Sequence, residues 1–543
     1  MNILFQKIFL EEFNINIKSK IIFFCLILCL ILSVSSVSAS TTDNTTDQAI
    51  TATTDTNLDS VTVSSEDISV KNTTNTAAAE RDTSSGSSVV NEIGVYSGED
   101  SILPDKSQEI KSVASPVLGA SNDDLLSSNE NQIINVSSYE EFTQSLRNNV
   151  EINITQDIEG TGTIWCSYNN TVINGNHFKI NYQIILGNNT NNITFKNIHF
   201  RYQLSLSQPV GGIISSWYVS NVLIENCHFD VHIFYNQYFG GLQNLTVNKC
   251  NFTNCSNGAG AGIYIGGHNT LPQYKYDGIS GSVNVQIYNC LFVNGILTTN
   301  TRGSAIELNS LNTTVENCTF INCSNTAKGS GTIGLYSTAQ NALIYNCTFI
   351  NNTMGYNGGA ISSELEACKN CTIMKCTFIN NTATGKGGAI AFAASNSRII
   401  NCTFENNHAT IGGAISFTGL NNTIDSCIFI NNTATDDGGA VYFGGENCNI
   451  TNCNLINNSA NEGGAIKFNA KYGYMGFCNY TNSSATVDGG ALCSNAENST
   501  VESCNFKNNT APLGKDFYAH GTYTIKFIGL KFDTLFLTNN NSA

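Results

Sequence analysis

Residues 376–392 read CTFINNTATGKGGAIAF, and close copies of this stretch follow it along the chain. The copies start 25 or 26 residues apart, at Cys402, Cys427, Cys453, Cys478 and Cys504. A near-constant period of this length is typical of a solenoid, in which each repeat buries its apolar face against its neighbours. The repeat therefore decides the fold.

The repeats are predicted to contain strands, because their apolar residues alternate at a spacing of two and not at the three-and-four spacing of helices. In residues 341–351, NALIYNCTFIN, Ala342 and Ile344 share one parity, whereas Cys347 and Phe349 share the other. A one-residue shift turns every strand side chain to the opposite face, so the chain must bend at the asparagine before the cysteine. Asparagine tolerates the left-handed backbone that such a bend requires.

Eleven cysteines fit one template: Cys227, Cys250, Cys290, Cys318, Cys347, Cys376, Cys402, Cys427, Cys453, Cys478 and Cys504. Phenylalanine stands two residues later in nine copies, and asparagine stands four residues later in ten. We predict a core ladder of the cysteines and of phenylalanines such as Phe320, Phe349, Phe378, Phe404, Phe429 and Phe506. The corresponding turn residues are Asn322, Asn351, Asn380, Asn406, Asn431 and Asn457. Asn381 is interpreted as part of the same turn.

A glycine pair begins a third strand, GGAIxF, in which the two apolar residues point inward and the variable residue between them points outward. The predicted turn glycines are Gly387, Gly388, Gly412, Gly413, Gly438, Gly439, Gly463 and Gly464. Three short strands per unit predict an all-β fold, a right-handed parallel β-helix of roughly a dozen coils. It is expected over residues 131–543, with repeats of 25–29 residues that are clearest from 284 to 510. Ser138 and Glu141 form a capping-box pattern, which predicts a short helix that covers the first coil.

Residues 1–39 are predicted to be a signal peptide, since lysines precede a short apolar run and an A-x-A-like site ends it. Residues 40–130 carry 16 Asp and Glu against 4 Lys and Arg and lack any apolar period, which predicts a disordered stalk rich in Ser, Thr, Asn and Asp. We expect an exported chain with no membrane span after removal of the signal. Asn-x-Ser/Thr sequons in the stalk and longer turns predict a glycoprotein.

Only 12% of all residues are charged and the net charge is −16, so the chain does not have the composition of a nucleic-acid binder. Of the 20 cysteines, 18 remain after signal removal. The eleven ladder cysteines are expected to be buried thiols, because in-register parallel side chains point the same way. Better candidates for disulfides or a metal are the off-ladder cysteines Cys255, Cys323, Cys368, Cys371, Cys448 and Cys493.

Enzymes that act on glycans need clustered carboxylates with basic partners on one face. The best local pair, Asp436 and Asp437, fills a turn slot and has no Lys or Arg at equivalent positions of adjacent coils, which favours a solvated turn. The seven histidines are scattered, and His228 with His232 is the only close pair in sequence. We predict no catalytic, cofactor-binding or metal-binding residues and no cofactor.

The paired FxxN and GGAI motifs, as in Phe378 to Asn381 with Gly387 to Ile390, resemble two groups of proteins. These are the chlamydial-type polymorphic outer membrane proteins and the adhesin-like surface proteins of gut methanogens, and the Asn/Thr-rich composition favours the second. The resemblance covers roughly residues 220–520. It implies a secreted or surface-displayed parallel β-helix with an adhesive role, and no catalytic residues to transfer.

The expected function is therefore attachment of a secreted or cell-surface protein to cells, host glycans or cell wall. Partner contacts are predicted in the loops around 203–220 and 258–283 and at positions that vary between copies. Two alternatives stay open at this point. One is a structural envelope protein without a specific ligand, and the other is a β-helix polysaccharide lyase or glycoside hydrolase.

Overall fold

The protein is a right-handed parallel β-helix of about 11 turns, which confirms the predicted fold class. The computed structural model describes residues 50–52, 61–64, 131–160, 162–187, 189–201, 214–216, 219–230, 242–256, 261–266, 282–298, 303–329, 331–336, 339–363, 368–519, 524–530, 532 and 534–537. The predicted signal peptide and most of the predicted stalk lie outside these residues, so both stay predictions. His232 and most of the two loops predicted to contact partners also lie outside them.

Each regular coil contains four strands, one more than the sequence predicts. Their order along the chain defines the first, second, third and fourth sheets, and strands of adjacent coils pair in parallel. The first sheet comprises Gln132–Val136, Val150–Ile154, Thr171–Asn174, Asn191–Lys196, Ser220–Glu225, Gln243–Asn248, Ser282–Tyr288, Ser310–Leu311, Thr314–Glu316, Leu343–Tyr345, Thr372–Met374, Arg398–Ile400, Thr423–Asp425, Asn449–Thr451, Tyr474–Gly476, Ser499–Glu502 and Thr524–Ile528.

The second sheet carries the phenylalanine positions. It comprises Lys179–Ile180, His199–Phe200, His228–Phe229, Asn251–Thr253, Leu291–Val293, Thr319–Ile321, Thr348–Ile350, Thr377–Ile379, Thr403–Glu405, Ile428–Ile430, Asn454–Ile456, Asn479–Thr481 and Asn505–Lys507. Its neighbouring strands pair without a register shift, so identical repeat positions lie directly above one another.

The third sheet lies within the stretch that was predicted to be only a turn. Its strands are Ile296–Leu297, Ser324–Asn325, Thr353–Met354, Thr382–Ala383, His408–Ile411, Thr433–Asp437, Ser459–Glu462 and Ser484–Asp488. The fourth sheet comprises Ile263–Ile265, Ile306–Leu308, Ile333–Leu335, Ile361–Ser363, Ile390–Phe392, Ile415–Phe417, Val441–Phe443, Ile466–Phe468, Leu492–Ser494, Phe517–Ala519 and Leu535–Leu537. A separate set of Thr163–Cys166, Gln183–Leu186 and Ile214–Ser216 belongs to the first coils.

Left-handed residues turn the chain at the corners of each coil. Asn346 before the cysteine has φ 50° and Asn380 four residues after the next cysteine has φ 55°. A further left-handed asparagine, which the sequence reading missed, precedes the first-sheet strand, as Asn341 does with φ 56°. Side-chain amides join these positions between coils, since Asn346 donates to Asn317 Oδ1 at 2.7 Å. Such bonds help to offset the roughly 1–2 kcal/mol that left-handed backbone costs an L-residue.

The core is built from in-register ladders. Phenylalanine rings of the second sheet stack face to face from Phe200 to Phe429 with centroids 4.5–4.9 Å apart, and Tyr480 stacks on Phe506 beyond Leu455. All of these residues except Phe506 are buried; Phe506 is partly buried against the core. Burial of one such ring is worth about 2–3 kcal/mol, so the stack is a principal stabilising element.

All 18 described cysteines are buried and none of them forms a disulfide, which includes the off-ladder ones that were the better candidates for one. In the ladder, the backbone N–H of Cys376 donates to Cys402 Sγ at 3.4 Å, and the Cys376 thiol donates to the Ile344 carbonyl at 3.5 Å. The thiols therefore serve as small core residues that also accept one backbone hydrogen bond. Burial raises the pKa of Cys371 to about 11 and that of Cys323 to about 12, which keeps these thiols protonated.

A second polar ladder runs inside the core, five residues after each cysteine. Asn407 Nδ2 donates to the Phe378 carbonyl at 3.1 Å and to Asn432 Oδ1 at 3.0 Å, and Asn381 repeats both contacts one coil earlier. Asn381 follows the turn residue Asn380 between two strands, and it has a role in the core that the sequence did not predict, because its side chain is fully buried and bonded. The same position is Cys255 and Cys323 in earlier coils, so these two cysteines are a variant of this ladder.

The first residue of each glycine pair has the left-handed backbone that the turn needs; Gly387 has φ 64° and Gly412 has φ 65°. The second glycine lies against the next coil. A Cβ at Gly413 would come within 2.1 Å of the Gly439 carbonyl oxygen. The pair therefore satisfies two separate requirements, a turn and a close approach of two backbones.

Both ends of the solenoid are covered. Helix α1, Tyr139–Ser145, lies at the first coil where the sequence predicts it; Ser138 Oγ accepts from Glu141 N and Phe142 is buried. At the other end, Ile50–Ala52 pairs antiparallel with Leu535–Leu537, and Val61–Ser64 pairs antiparallel with Thr524–Ile528. These two strands belong to the segment predicted to be a disordered stalk, and they shield an otherwise open sheet edge.

Candidate functional site

A groove runs along the outer side of the fourth sheet. Its floor is the residue between the two inward positions of each strand, in register Ser362, Ala391, Ser416, Tyr442, Lys467 and Cys493. Its wall is the residue before each glycine pair, in register Asn357, Lys386, Ile411, Asp437, Glu462 and Asp488. We call this feature the outer groove. The sequence predicted exposed floor positions, but the wall buries all of them except Tyr442.

The N-terminal half of the outer groove is open and nearly neutral. It contains a cavity of about 260 Å³ lined by Tyr356, Asn357, Ser363, Lys386, Ala391, Phe392, Ala393, Ser416 and Thr418. Ser363 occupies the position of a core phenylalanine in the next coils, in register with Phe392. Its side chain therefore lies on the opposite side of the sheet from that of Ser416.

One buried hydroxyl of this cavity lacks a partner within the described part of the chain. Ser416 Oγ is without a hydrogen bond, although Ser416 is only 1% exposed. Buried polar groups are normally bonded, so an unpaired hydroxyl that lines a cavity indicates room for a polar ligand. At the rim, Tyr356 is 47% exposed and offers a ring face.

Lys386 stands in the wall of the same cavity. Its backbone N–H donates to Asn357 Oδ1 at 2.9 Å, which holds the wall of two coils together. Among the described residues, no carboxylate forms a salt bridge with its ammonium group. Among the described residues, the cavity therefore combines one unpaired hydroxyl, an aromatic face and one cation without a salt bridge.

The C-terminal half of the outer groove is charged. Lys467 is 2% exposed, and its ammonium contacts Glu462 Oε2 and lies 3.0 Å from Cys493 Sγ. Asp437, Glu462 and Asp488 are paired in register on consecutive coils beside it. The positions equivalent to Asp437 in the adjacent coils, Ile411 and Glu462, carry no Lys or Arg, but the charge of Lys467 acts on Asp437 from the floor of the groove. Asp436 is exposed, as predicted.

Burial sets the protonation of these carboxyl groups. It raises the pKa of Asp488 to about 6, and it raises that of Asp437 although the charge of Lys467 opposes the change. Burial lowers the pKa of Lys467, but Cys493 and Glu462 outweigh it and raise the pKa above its usual value. Glu462, Asp488 and Cys493 have donor atoms close enough to share a metal ion. The Lys467 ammonium, however, already contacts two of them, Glu462 and Cys493, as an internal cation.

A third cluster lies on the outer face of the second sheet, in the first coils. His199 and His228 pair in register, and Asp230 lies 3.0 Å from His199 Nε2 and 2.9 Å from His228 Nε2. Burial raises the pKa of Asp230, but the hydrogen bonds from His199, His228 and Thr253 outweigh it and the pKa is lowered overall. The sequence analysis did not predict this cluster. The sequence does contain a signal for it, because the segment NIHF at 197–200 recurs one coil later as NCHF at 226–229.

Two family profiles match parts of the chain. One, described as a right-handed beta helix region, matches residues 356–489, and the other, described as a Chlamydia polymorphic membrane protein repeat, matches residues 346–364. These matches support a repeat of the polymorphic membrane protein type within a β-helix. The likeness to the adhesin-like proteins of methanogens stays a prediction. No curated protein matches the sequence.

Several solved structures are similar in fold. The surface protein and adhesin PfbA of Streptococcus pneumoniae has 14% identity and a TM-score of 0.34, over 70% of this chain and 93% of that chain. The A-module of the Azotobacter vinelandii mannuronan C-5 epimerase AlgE4 has 11% identity and a TM-score of 0.34, over 65% and 89%. The catalytic domain of a GH87 alpha-1,3-glucanase has 12% identity and a TM-score of 0.33, over 73% and 69%.

At such low similarity none of these structures assigns a function to the chain. No helix among the described residues is long and apolar enough to span a bilayer.

Proposed function

We propose that the protein is a secreted or cell-surface adhesin that attaches to cells, host glycans or cell wall, and that the open half of the outer groove binds the glycan. The observation that carries the proposal is the unpaired buried hydroxyl of Ser416 in a cavity that Tyr356 and Lys386 also line. A sugar hydroxyl can supply the hydrogen bond that Ser416 lacks among the described residues.

The other residues of the cavity suit the same ligand class. The exposed ring of Tyr356 offers an apolar face with a polar edge, which can stack on the apolar face of a sugar ring. Lys386 supplies a cation without a partner among the described residues, which favours a sugar that carries a carboxylate or sulfate. The volume of about 260 Å³ is just below the roughly 300 Å³ at which pockets for drug-sized ligands begin, so it fits one unit of a longer chain.

The test measures binding of the mature chain to an array of acidic and neutral glycans. Tyr356→Ala and Lys386→Gln should each weaken binding at least tenfold, because each removes a direct contact. The matched controls are Tyr472→Asn and Lys507→Gln, which alter an exposed tyrosine and an exposed lysine outside the groove. Tyr472 suits asparagine because its left-handed position is asparagine in the adjacent coils, at Asn447 and Asn498.

Other outcomes discriminate the remaining functions. Equal binding by the groove variants and the wild type would place the glycan contact elsewhere. Absence of binding to any glycan or cell surface would favour a structural envelope protein.

A second candidate, a glycan lyase or hydrolase, is favoured by one observation. The charged half of the same groove holds Asp488, whose pKa of about 6 suits a group that exchanges protons near neutral pH, beside Asp437, Glu462 and Lys467. Incubation of the protein with the polysaccharides that it binds on the array decides between the adhesin and the enzyme. Release of reducing or unsaturated ends that is lost in Asp488→Asn would contradict the adhesin and support the enzyme.

A further inference from the structure

The histidine cluster of the first coils has a geometry that neither the core nor the proposed glycan groove uses. His199 and His228 lie on the outer face of the second sheet, one coil apart, and their rings meet edge to face with centroids 4.6 Å apart. Asp230 reaches both, with Oδ2 3.0 Å from His199 Nε2 and Oδ1 2.9 Å from His228 Nε2. At the equivalent second-sheet positions later coils carry threonine, such as Thr348 and Thr377, which need no such partner.

The spacing of these donor atoms matches that of ligands around one small metal ion. Zinc binds imidazole nitrogen at about 2.0–2.1 Å and carboxylate oxygen at about 2.0–2.2 Å, which puts neighbouring ligand atoms of a tetrahedron about 3.3 Å apart. The two N···O separations, one to each oxygen of the Asp230 carboxylate, are within a few tenths of an ångström of that value. All three donor atoms lie within 4.8 Å of one another, so only small side-chain rotations are needed to close the site.

The surroundings hold the cluster in position. Thr253, on the next coil, donates to Asp230 Oδ1 at 2.9 Å, so it orients the carboxylate from outside the ligand set. Arg201 lies 3.9 Å from Asp230 Oδ2 and has a side chain that is 60% exposed, so it can move away when a cation binds. The histidine and aspartate side chains are about one third exposed, which leaves the site accessible and a fourth ligand position available to water.

We infer that His199, His228 and Asp230 bind one divalent transition-metal ion per chain, with zinc as the best fit. Two neutral imidazoles and one carboxylate are typical ligands of zinc, and they disfavour calcium and magnesium, which prefer oxygen ligands. The site joins two adjacent coils directly, His199 in one and His228 with Asp230 in the next. This inference is independent of the proposed glycan binding, since the ligands lie on a different sheet from the outer groove.

The test uses the untagged mature chain, stripped of metal by a chelator and titrated with Co²⁺ and with Zn²⁺. Calorimetry should give one equivalent for the wild type, and bound Co²⁺ should show the visible absorption of a tetrahedral nitrogen and oxygen site. His199→Ala and His228→Ala should each lower affinity at least 100-fold, and Asp230→Asn at least tenfold. The matched control is His408→Ala, an exposed histidine of the third sheet that contacts Thr433, which should bind as the wild type does.

Three results would overturn the inference. They are absence of Co²⁺ uptake by the wild type, equal uptake by His199→Ala and His228→Ala, or a thiolate charge-transfer band that places the metal on cysteines. Because the histidines are partly exposed, the variants are expected to fold. Far-ultraviolet circular dichroism checks the folding of each variant. His228→Gln serves as a second variant of similar size if the alanine variant does not fold.

Discussion

The coils from 346 to 510 and the coils before 346 share one core but differ on their outer surface. In the later coils, nearly every letter of the repeat has a structural role, since cysteine, phenylalanine and asparagine fill ladders and glycine closes turns. In the earlier coils, the repeat is interrupted, and His199 and His228 stand where later coils carry threonine on the second sheet. Single departures also occur in the later coils, where Ser363 stands at a core phenylalanine position. The two regions therefore differ at single positions that depart from the repeat, and not in the repeat itself.

Truncation of one ring in the phenylalanine stack tests whether the two regions share the same core. Phe378→Ala should destabilise the protein by about 4 kcal/mol, because it removes buried area and leaves a cavity between two stacked rings. Phe229→Ala in the earlier coils should cost about the same, since Phe229 is equally buried and stacked on both sides. The measurement is the shift of the urea unfolding midpoint.

The control for this prediction is Phe378→Leu, which should cost less than about 2 kcal/mol because leucine already occupies the position at Leu455. If Phe229→Ala proved nearly neutral, the early coils would not depend on the stack. The two regions would then differ in their core as well as on their outer surface.

The buried asparagine ladder distinguishes the two regions more sharply, because earlier coils place cysteine there. Asn407→Ala should cost about 3 kcal/mol, because it leaves the Phe378 carbonyl and the N–H groups of Asn381 without their partners in a dry core. Cys323→Ala, at the same position in an earlier coil, should cost only about 1 kcal/mol, since it removes a small apolar side chain with weak sulfur hydrogen bonds. Thermal and urea unfolding of both variants measure the difference.

Asn407→Ser is the matched control, because serine occupies this position at Ser483, where its backbone N–H still donates to Asn509 Oδ1 at 3.0 Å. Its effect should fall between those of the other two variants. Equal losses for Asn407→Ala and Cys323→Ala would contradict the view that the later coils depend on this ladder.

The core ladders could be predicted from sequence because each rests on local rules that repeat. The parity change at Asn346 requires a bend, and the structure has φ 50° there; Lys375, Ser426 and Phe477 adopt the same conformation in other copies. The fold supplies that conformation whichever residue is present, so the template holds even where asparagine is absent.

The groove and the histidine cluster could not be predicted in the same way. Alternation identifies the residue between Ile415 and Phe417 as outward, but it does not show that the preceding turn folds over Ser416 and buries it. His199 and His228 are 29 residues apart, and only the register of the coils shows that this separation equals one turn. Local patterns determine which face a residue occupies, whereas the cover over that face depends on contacts between distant segments.

The charged half of the outer groove makes stability depend on pH in a way that the neutral half does not. The folded-state pKa of Asp488 is about 6, above the roughly 3.9 of a free aspartate. The folded protein therefore holds a proton that the unfolded chain has already released between about pH 4 and 6. The stabilising contribution of Asp488 to the free energy of unfolding is therefore complete below about pH 4 and is lost as the pH rises through about 6.

Asp488→Asn should remove that loss and raise stability at pH 7 by about 1–2 kcal/mol. The value stays below the roughly 3 kcal/mol that the full shift allows, because Lys467 loses a nearby negative charge. The measurement is the urea midpoint of the wild type and the variant at pH 4, 5, 6 and 7, and their difference should grow with pH. Asp436→Asn, an exposed neighbour of Asp437, should show a small difference that is constant with pH. Parallel pH profiles for the wild type and Asp488→Asn would contradict this account, and would place Asp488 with the solvated carboxylates.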